Sequence, residues 1–427
     1  MDTIIINGGQ KLVGEVCISG SKNSTLPILF STLLTDDTVI ITNVPALLDI
    51  DIAIAFLKYI GKIVVKDGHT VRIYSYNTIY KCTQPYELVS KMRASILVMG
   101  PLLARMKRVN ISSPGGCAIG ARPIDIHLEA FRMLGVDISV HNNYVKMFVK
   151  KQLKGTTINF KFPSVGATEN VLLAATLAHG QTTIINAACE PEVTDLISVL
   201  NKMGAKIQTY GKNKIIIQGV TKLHGVIHHI IPDRVEAATY IIAAAITKGE
   251  VLLKKVIPSH LRIVNSKLKA SGLYIKETNT TILAKWVKNL HPQNISTNVY
   301  PGFPTDIQAQ WMTLMCLLEG TSYIEETVFE NRFLHVQELK KFGANILIND
   351  RIVKIQGVKK FIGTAVQISD LRAGAALILA GLVAEGQTIL SSIHHLDRGY
   401  DSIENKLRKL NANIIRIQDK KCGDSRN

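Results

Sequence analysis

Apolar positions at helical spacing recur six times along the chain, about seventy residues apart. Each apolar stretch begins at a polar, charged or glycine residue and leads into a β-branched run typical of a strand. A second amphipathic helix follows, with a pattern close to Leu-x-x-x-Gly-Ala-x-Ile, and alternating strands complete the repeat. The pattern therefore predicts six βαβαββ units. Their apolar stretches begin at Lys22, Arg93, Gly166, Arg234, Asp306 and Arg372.

Glycines predict where four of these helices end. The last four apolar stretches are followed by Gly180, Gly249, Gly320 and Gly386. Glycine is the commonest residue just beyond a helix C-terminus, because it adopts the left-handed conformation there at little cost. We therefore expect each of these helices to run up to its glycine.

The two ends of the chain are predicted to share one unit. The sixth repeat lacks its final strand, since the sequence becomes polar and charged after Ile417. The segment Ile4–Leu12 resembles the strands that begin at Ile215 and Val353. We expect the N-terminal strand to complete the sixth unit, beside Leu407–Ile417.

Domain organisation follows from the same alignment of units. The fold class is α/β, with two similar domains of three units each and a cleft between them. The chain is expected to cross between domains near Ser19–Gly20 and near Ile230–Pro232. One domain then comprises residues 1-20 and 230-427, with both termini, and the other comprises residues 21-229. A chain of 427 residues is long enough for each domain to bury its own core.

Composition narrows the class of protein further. Hydrophobic residues make up 47% and charged residues 19%, as in globular proteins, and no cleavable signal pattern opens the sequence. The run Ala373–Ala384 is too short to cross a bilayer and predicts a core helix. Six cysteines without close C-x-x-C spacing favour a reducing, cytoplasmic location.

Positive charge indicates anionic partners. Lysine and arginine exceed the acidic residues by 17, which points to phosphorylated small molecules, nucleic acid or a membrane surface, or else to a lysine-biased composition without function. Four cations stand where a helix is predicted to begin, although a cation there opposes the helix dipole. Together with free backbone N–H groups they form anion sites; the alternative is solvent-exposed charge. These four are Lys22, Arg93, Arg234 and Arg372.

Asp306 takes the corresponding place in the fifth unit. A carboxylate there is favoured by the helix dipole, so a structural role is one interpretation. A base for a hydroxyl, facing the anion sites, is the other.

One glycine-rich segment, Ser112–Pro123, carries a thiol and a cation. Its glycines allow close approach to a ligand, and such loops often close over reactions. Arg122 can lower the pKa of the Cys117 thiol or bind an anion beside it. The alternative is a glycine-rich turn with an inert cysteine.

Seven motifs together resemble one known family. They occur in order from residue 19 to residue 400: Ser19–Asn23, Met92–Ser95, Pro114–Pro123, Phe303–Asp306, Glu326–Arg332, Asp370–Ala373 and Asp397–Tyr400. The chain resembles the UDP-N-acetylglucosamine 1-carboxyvinyltransferases, which are enolpyruvyl transferases with an EPSP synthase-like fold. The resemblance implies that the two domains are inside-out α/β barrels.

The resemblance also implies a reaction. The enolpyruvyl group of phosphoenolpyruvate would pass to the 3′-hydroxyl of UDP-N-acetylglucosamine with release of phosphate, the first committed step of peptidoglycan precursor synthesis. Links to cell wall biogenesis, cell shape, cell division and fosfomycin inhibition come with it. No cofactor, metal, nucleic acid or membrane insertion is implied.

The same resemblance assigns residue roles. Cys117 is the general acid and the thiol that forms a covalent adduct with phosphoenolpyruvate, and Asp306 is the base or aligner at the 3′-hydroxyl. Lys22 and Arg398 count as catalytic as well as substrate-binding. The phosphoenolpyruvate set is Lys22, Asn23, Arg122, Arg372 and Arg398. The UDP-N-acetylglucosamine set is Arg93, Arg122, Pro123, Ile124, Asp125, Ile126, Asp306 and Val328.

One departure and two alternatives stay open. Some family members carry a lysine just before the Ser164–Thr168 motif, whereas Phe162–Pro163 stand there in this chain and Lys161 is displaced. The first alternative is the sister 3-phosphoshikimate 1-carboxyvinyltransferase, which lacks this cysteine loop. The second is a catalytically silent paralogue that binds nucleotide sugars or nucleic acid, and its mark would be loss of Cys117, Asp306 or a clamp arginine.

Overall fold

The computed structural model describes residues 2–76, 81, 92–112, 124–141 and 144–418. Within them the backbone forms six sheets. Five sheets contain one parallel strand pair and two antiparallel pairs, and the described part of the remaining sheet has three antiparallel strands. This is the pairing that a βαβαββ unit produces, so the α/β fold class is confirmed.

The third unit shows the arrangement without interruption along the chain. Its elements in order are the strand Thr157–Asn159, the helix Val165–Ala175, the strand Gln181–Ile185, the helix Pro191–Lys202 and the strands Lys206–Tyr210 and Lys214–Gln218. The Ser164 side chain caps the first helix by accepting from the Ala167 N–H at 3.3 Å. Proline stands first in the second helix, where its missing N–H costs nothing.

The other units repeat this order with different bounds. Their sheets, each given in spatial order, are Val226–His229, Val39–Thr42, Thr70–Tyr74, Ile63–Asp67; Arg108–Ser112, Tyr144–Phe148, Asp137–His141; Val13–Cys17, Glu250–Lys254, Thr281–Lys285, Tyr274–Glu277; Ile295–Ser296, Thr321–Glu325, Ile352–Gln356, Asn345–Asn349; and Ala365–Gln367, Gln387–Ser391, Thr3–Asn7, Asn413–Ile417. Their first helices are Lys22–Ser31, Met99–Met106, Arg234–Ile246, Gln308–Met315 and Leu371–Val383. Their second helices are Leu48–Ile60, Asp125–Met133, Arg262–Ser271, His335–Lys341 and Ile403–Lys409.

A left-handed residue follows the second helix of every unit. At these six positions φ lies between 76° and 128°, a range that glycine adopts freely and asparagine tolerates. The residues are Gly61, Gly135, Gly204, Gly272, Gly343 and Asn411. The helix, turn and strand expected from the Leu-x-x-x-Gly pattern are therefore confirmed, and Asn411 replaces glycine without changing the turn.

The prediction that the first helices run up to their glycines is wrong. The helix Val165–Ala175 has Thr176 as its C-cap, four residues before Gly180, and the helix Leu371–Val383 has Ala384 as its C-cap, two residues before Gly386. Gly180 and Gly386 instead stand just before the next strand, with φ of 85° and 88°. The glycine marks a turn into the strand, because a few non-helical residues separate the helix from that turn.

The N-terminal strand completes the sixth unit, as predicted. Thr3–Asn7 lies between Gln387–Ser391 and Asn413–Ile417 and runs antiparallel to both. Ile4 is opposite Leu390 on one side and Arg416 on the other.

Two units exchange their first strands. Val13–Cys17 pairs with Glu250–Lys254, and Val226–His229 pairs with Val39–Thr42. The chain therefore passes twice between the two halves, and the passing segments touch. Gly20 and Pro232 form a β-bridge there, and the Ser21 N–H donates to the Ile231 carbonyl at 2.8 Å.

Buried apolar residues form two cores among the described residues. One core draws on residues 26–230, and we call its surroundings the first lobe. The other draws on residues 4–18 and 235–414, and we call its surroundings the second lobe. First helices lie inside the lobes; the helix Arg234–Ile246, for example, is buried from Val235 to Ile246. The domain boundaries and closure of each lobe into a barrel stay predictions.

None of the described helices is long and apolar enough to span a bilayer.

Candidate active site

The predicted cations do stand at helix starts. Lys22 and Arg234 are the first residues of their helices, and Arg372 is the second residue of its helix. Arg93 opens a 3-10 turn, Arg93–Val98, that leads into the helix Met99–Met106. Carboxylates offset the unfavourable dipole at two of these starts, because Asp233 and Asp370 cap the helices that begin beside them.

Lys22 and Arg398 meet at one carboxylate. Oδ2 of Asp49 lies 3.4 Å from Nζ of Lys22, and Oδ1 accepts from Nε of Arg398 at 2.8 Å. Lys22 and Asp49 belong to the first lobe and Arg398 to the second. The structure thus brings together two predicted catalytic cations that belong to different lobes.

Asp306 lies between two arginines. Its Oδ1 accepts from Nη2 of Arg332 at 2.7 Å, and its Oδ2 accepts from Nη2 of Arg372 at 2.8 Å. Burial acts to raise the Asp306 pKa, but Arg372 and Arg332 together outweigh it and hold the pKa well below its usual range. The carboxylate is therefore ionised at neutral pH and fixed in orientation.

The pKa of Lys22 reflects all of these groups. Burial is the largest influence and lowers its pKa, while Asp49 is the strongest group that opposes this effect. Arg372 and Arg398 lower the pKa further, and Asp306 raises it. Charges act on a neighbouring pKa mainly at short range, so Arg372, Asp306 and Arg398 lie near Lys22.

Glu326 shapes the loop that carries Val328. Its buried carboxylate accepts from the Val328 N–H at 3.0 Å and from the Phe329 N–H at 3.1 Å. It also accepts from the Thr297 and Thr305 hydroxyls at 2.9 and 2.8 Å. Since Thr305 is next to Asp306, the same carboxylate fixes the Val328 loop relative to Asp306.

Arg93 lies beside a second predicted contact region. Burial mainly, and the charge of Arg93 in addition, lower the pKa of His127 to about 4. His127 shares a hydrogen bond of 3.0 Å with the Asn170 side chain. Ile124 precedes the helix Asp125–Met133, which carries Asp125 and Ile126 at its start. Arg93 therefore approaches this helix start, as expected if both regions contact one ligand.

Arg234 makes a separate connection between the lobes. Its Nε donates to Oε1 of Glu192 at 2.9 Å, and its guanidinium lies 5.6 Å from the Tyr300 ring centre. The Tyr300 N–H also points to Oε1 of Glu190 at 3.4 Å. Of the four helix-start cations, Lys22 pairs with Asp49 and Arg372 with Asp306, while Arg234 makes this second contact. Arg93 lies apart from both, near His127.

Several predicted residues lie outside the described part of the chain: Cys117, Arg122 and Pro123. Asn23 follows Lys22 in the first turn of its helix and is partly exposed.

Three site residues were missed at the sequence level: Asp49, and the roles of Glu326 and Arg332. An aspartate in the first turn of an amphipathic helix has an ordinary explanation in the helix dipole, so Asp49 gave no distinct signal. Glu326 and Arg332 belong to a recognised motif, but their partners are set by tertiary folding alone.

Comparison with known proteins identifies the class and then the family. The family model for EPSP synthase (3-phosphoshikimate 1-carboxyvinyltransferase) matches residues 6–407. The structure resembles the enolpyruvyl transferase NikO from Streptomyces tendae with a TM-score of 0.89 and 26% identity, over 97% of this chain and 98% of that one. An EPSP synthase from Acinetobacter baumannii matches with a TM-score of 0.76 over 98% of this chain and all of that one, and at 18% identity it shows the fold alone.

Two relatives found by sequence have a higher identity to this chain than the two solved structures do. A UDP-N-acetylglucosamine 1-carboxyvinyltransferase from Endomicrobium trichonymphae is 66% identical over 97% of this chain and 99% of its own length. One from Caldanaerobacter subterraneus subsp. tengcongensis is 51% identical over 96% and 99%. The chain belongs to the UDP-N-acetylglucosamine 1-carboxyvinyltransferase family.

Proposed function

We propose that this chain transfers the enolpyruvyl group of phosphoenolpyruvate to the 3′-hydroxyl of UDP-N-acetylglucosamine and releases phosphate. The observation that carries the proposal is the grouping of Lys22, Asp306, Arg372 and Arg398 between the two lobes. A substrate with a phosphate and a carboxylate needs several fixed cations at close range. The relatives' names supply the acceptor, UDP-N-acetylglucosamine, and the carboxyvinyl group. Phosphoenolpyruvate as the donor is what the resemblance to the family implies.

The cations bind phosphoenolpyruvate in this proposal. Lys22, Arg398 and Arg122 hold its phosphate and carboxylate, with Asn23 beside them. Arg372 supports the anion site while it orients Asp306. Lysine offers three N–H donors and arginine five, more than the single contact that each makes with Asp49 requires.

The UDP-sugar spans the cleft. Arg93 and the segment Arg122–Ile126 contact it from the first lobe, and Asp306 and Val328 from the second. Asp306 accepts a hydrogen bond from the 3′-hydroxyl and aligns it. To take the proton as a base, Asp306 must be held less tightly by its arginines, because their charge keeps its pKa low.

The chemistry needs one acid and one proton acceptor. Cys117 delivers a proton to the methylene carbon of phosphoenolpyruvate as the sugar oxygen, which gives up its proton to Asp306, bonds to the neighbouring carbon. The adduct then loses phosphate while the Cys117 thiolate takes back a proton from the new methyl group, which restores the double bond. A cytoplasmic location, a role in peptidoglycan synthesis and thereby in cell shape and division, and sensitivity of Cys117 to fosfomycin follow from this proposal.

A phosphate-release assay with two acceptors tests it. The protein is incubated with phosphoenolpyruvate and either UDP-N-acetylglucosamine or shikimate 3-phosphate, with Asp306→Ala as the impaired control. We expect release with the sugar nucleotide alone, greatly reduced in the variant. Release with shikimate 3-phosphate alone would assign the sister activity, and no release with either would favour a silent paralogue.

A further inference from the structure

Asp49 occupies an unusual position for an aspartate. It is the second residue of the helix Leu48–Ile60, and its side chain is 3% exposed. Asp51, two residues later on the same helix, is 58% exposed and pairs with Lys66 at the surface. A carboxylate is rarely buried unless cations compensate it, and here Lys22 and Arg398 do so.

Backbone contacts fix the approach of Asp49 to Arg398. The Leu48 N–H donates to the Asp397 carbonyl at 2.9 Å. The Ala46 N–H donates to Oδ2 of Asp401 at 3.1 Å. These bonds connect residues just before Asp49, in the first lobe, with residues on either side of Arg398, in the second lobe. The ion pair therefore lies where two other hydrogen bonds already hold the two chain segments together.

The negative charge of Asp49 offsets the repulsion among the cations around it. Lys22, Arg372 and Arg398 gather within electrostatic range of one another, and burial disfavours the charged form of Lys22. Among the groups around Lys22, Asp49 does most to keep its ammonium protonated. Without this carboxylate, two cations from opposite lobes would repel each other at the point where both must meet one small anion.

We propose that Asp49 is a positioning residue that holds Lys22 and Arg398 together, across the two lobes, for the phosphate and carboxylate of phosphoenolpyruvate. Asp49 carries the same sign of charge as this substrate, so it acts through the two cations and does not bind the substrate itself. The inference rests on the proposed function for the identity of the anion. It goes beyond that function by assigning how the two cations are aligned.

The test compares steady-state kinetics of the wild type, Asp49→Ala and Asp49→Asn. Asp49→Ala is expected to raise the KM for phosphoenolpyruvate at least tenfold and to leave the KM for UDP-N-acetylglucosamine within twofold. Asp49→Asn keeps an acceptor for Nε of Arg398 and loses the charge, so its effect should be intermediate. Asp51→Asn is the matched control, since it removes an exposed ion pair from the same helix, and it should behave as the wild type.

Calorimetric titration of phosphoenolpyruvate into the protein without UDP-N-acetylglucosamine, so that no turnover occurs, gives a second measurement of the same effect, and thermal denaturation establishes that each variant is folded. An unchanged KM and Kd for phosphoenolpyruvate in both folded Asp49 variants would overturn the inference. Equal loss for both substrates would also overturn it, because it would indicate a general structural role. A wild type that binds phosphoenolpyruvate without turnover would refute the proposed function, while weaker binding by Asp49→Ala would still support the positioning role.

Discussion

Arg372 and Asp306 form an ion pair in which Nη2 of the buried arginine donates to Oδ2 of the aspartate at 2.8 Å. Arg332 donates to the other oxygen of Asp306 at 2.7 Å. The two guanidiniums leave the carboxylate little freedom to turn. This pairing makes Asp306 a well-oriented acceptor and a weak base at once, since both arginines stabilise its charged form.

Removing Arg372 should weaken the folded state in a pH-dependent way. The folded-state pKa of Asp306 is depressed, so its contribution to stability is present above its unfolded pKa and is lost as pH falls through the folded pKa. Arg372→Met should therefore lower the free energy of unfolding by about 2 kcal/mol at pH 7 and by less near pH 3. Urea denaturation at both pH values measures this.

The control for this prediction is Lys360→Met, which removes an exposed pair with Glu385. Exposed pairs contribute about 1 kcal/mol or less, so the control should change stability little. A loss for Arg372→Met that is the same at pH 7 and pH 3 would exclude a role for the charge of Asp306.

Cys117→Ala should nearly abolish turnover with little loss of stability. The glycine-rich sequence around the residue predicts a loop with little core packing, and the proposal makes its thiol the proton donor. Cys117→Asp should keep activity, because a carboxylic acid also donates a proton, and it should resist epoxides of the fosfomycin type. Initial rates and melting curves for both variants measure this; full activity in Cys117→Ala would remove the thiol from the mechanism.

Glu169→Gln should stabilise the protein at alkaline pH. Burial, and then the charges of Glu192 and Glu190, raise the pKa of Glu169 well above its usual value. The folded state therefore holds this proton more tightly than the unfolded state, and stability falls as pH rises from about 4.5 towards the folded pKa. Glutamine removes that loss, so the variant should melt higher than the wild type at pH 8 and similarly at pH 4.5.

Glu129→Gln is the matched control for this measurement, because Glu129 is exposed in the same lobe. It should show no pH-dependent difference. A Glu169→Gln variant that is less stable than the wild type at pH 8 would mean that the ionised carboxylate is favourable in its site.

Deleting residues 1–12 should destabilise the second lobe. The deletion removes the strand Thr3–Asn7, which separates Gln387–Ser391 from Asn413–Ile417 and bonds to both. Hydrogen exchange should therefore accelerate in those two strands and spare the first lobe. Faster exchange confined to residues 30–220 would contradict the pairing.

Local signals predicted most of the fold. The turn at Gly204 and its counterparts needs a residue that adopts positive φ, so a glycine in the sequence predicts it. Asn411 meets the same need in the one copy without glycine. The missing strand of the sixth unit was predictable because the strands that begin at Ile215 and Val353 supplied templates for it. The predicted helix end at Gly180 was wrong, because a glycine after an apolar stretch is found both at helix ends and in the turns that follow them.

The site was less predictable than the fold. A cation at a helix start violates a local rule, so Lys22 and Arg372 stood out from the sequence. Asp49 violates no local rule, and its burial depends on the second lobe approaching the start of its helix. Arg332 pairs with Asp306 over 26 residues, a partnership fixed by tertiary packing and not by spacing.

In the proposed mechanism, cations from both lobes and Asp306 together direct the enolpyruvyl group to the 3′-hydroxyl. The most direct measurement is nuclear magnetic resonance of the product formed from carbon-labelled phosphoenolpyruvate and UDP-N-acetylglucosamine. We predict a vinyl ether in which the labelled carbon couples, through the 3′-oxygen, to the proton on C3′ of the sugar, with one phosphate released for each product. Attachment at any other oxygen, or phosphate release without a vinyl ether, would contradict it.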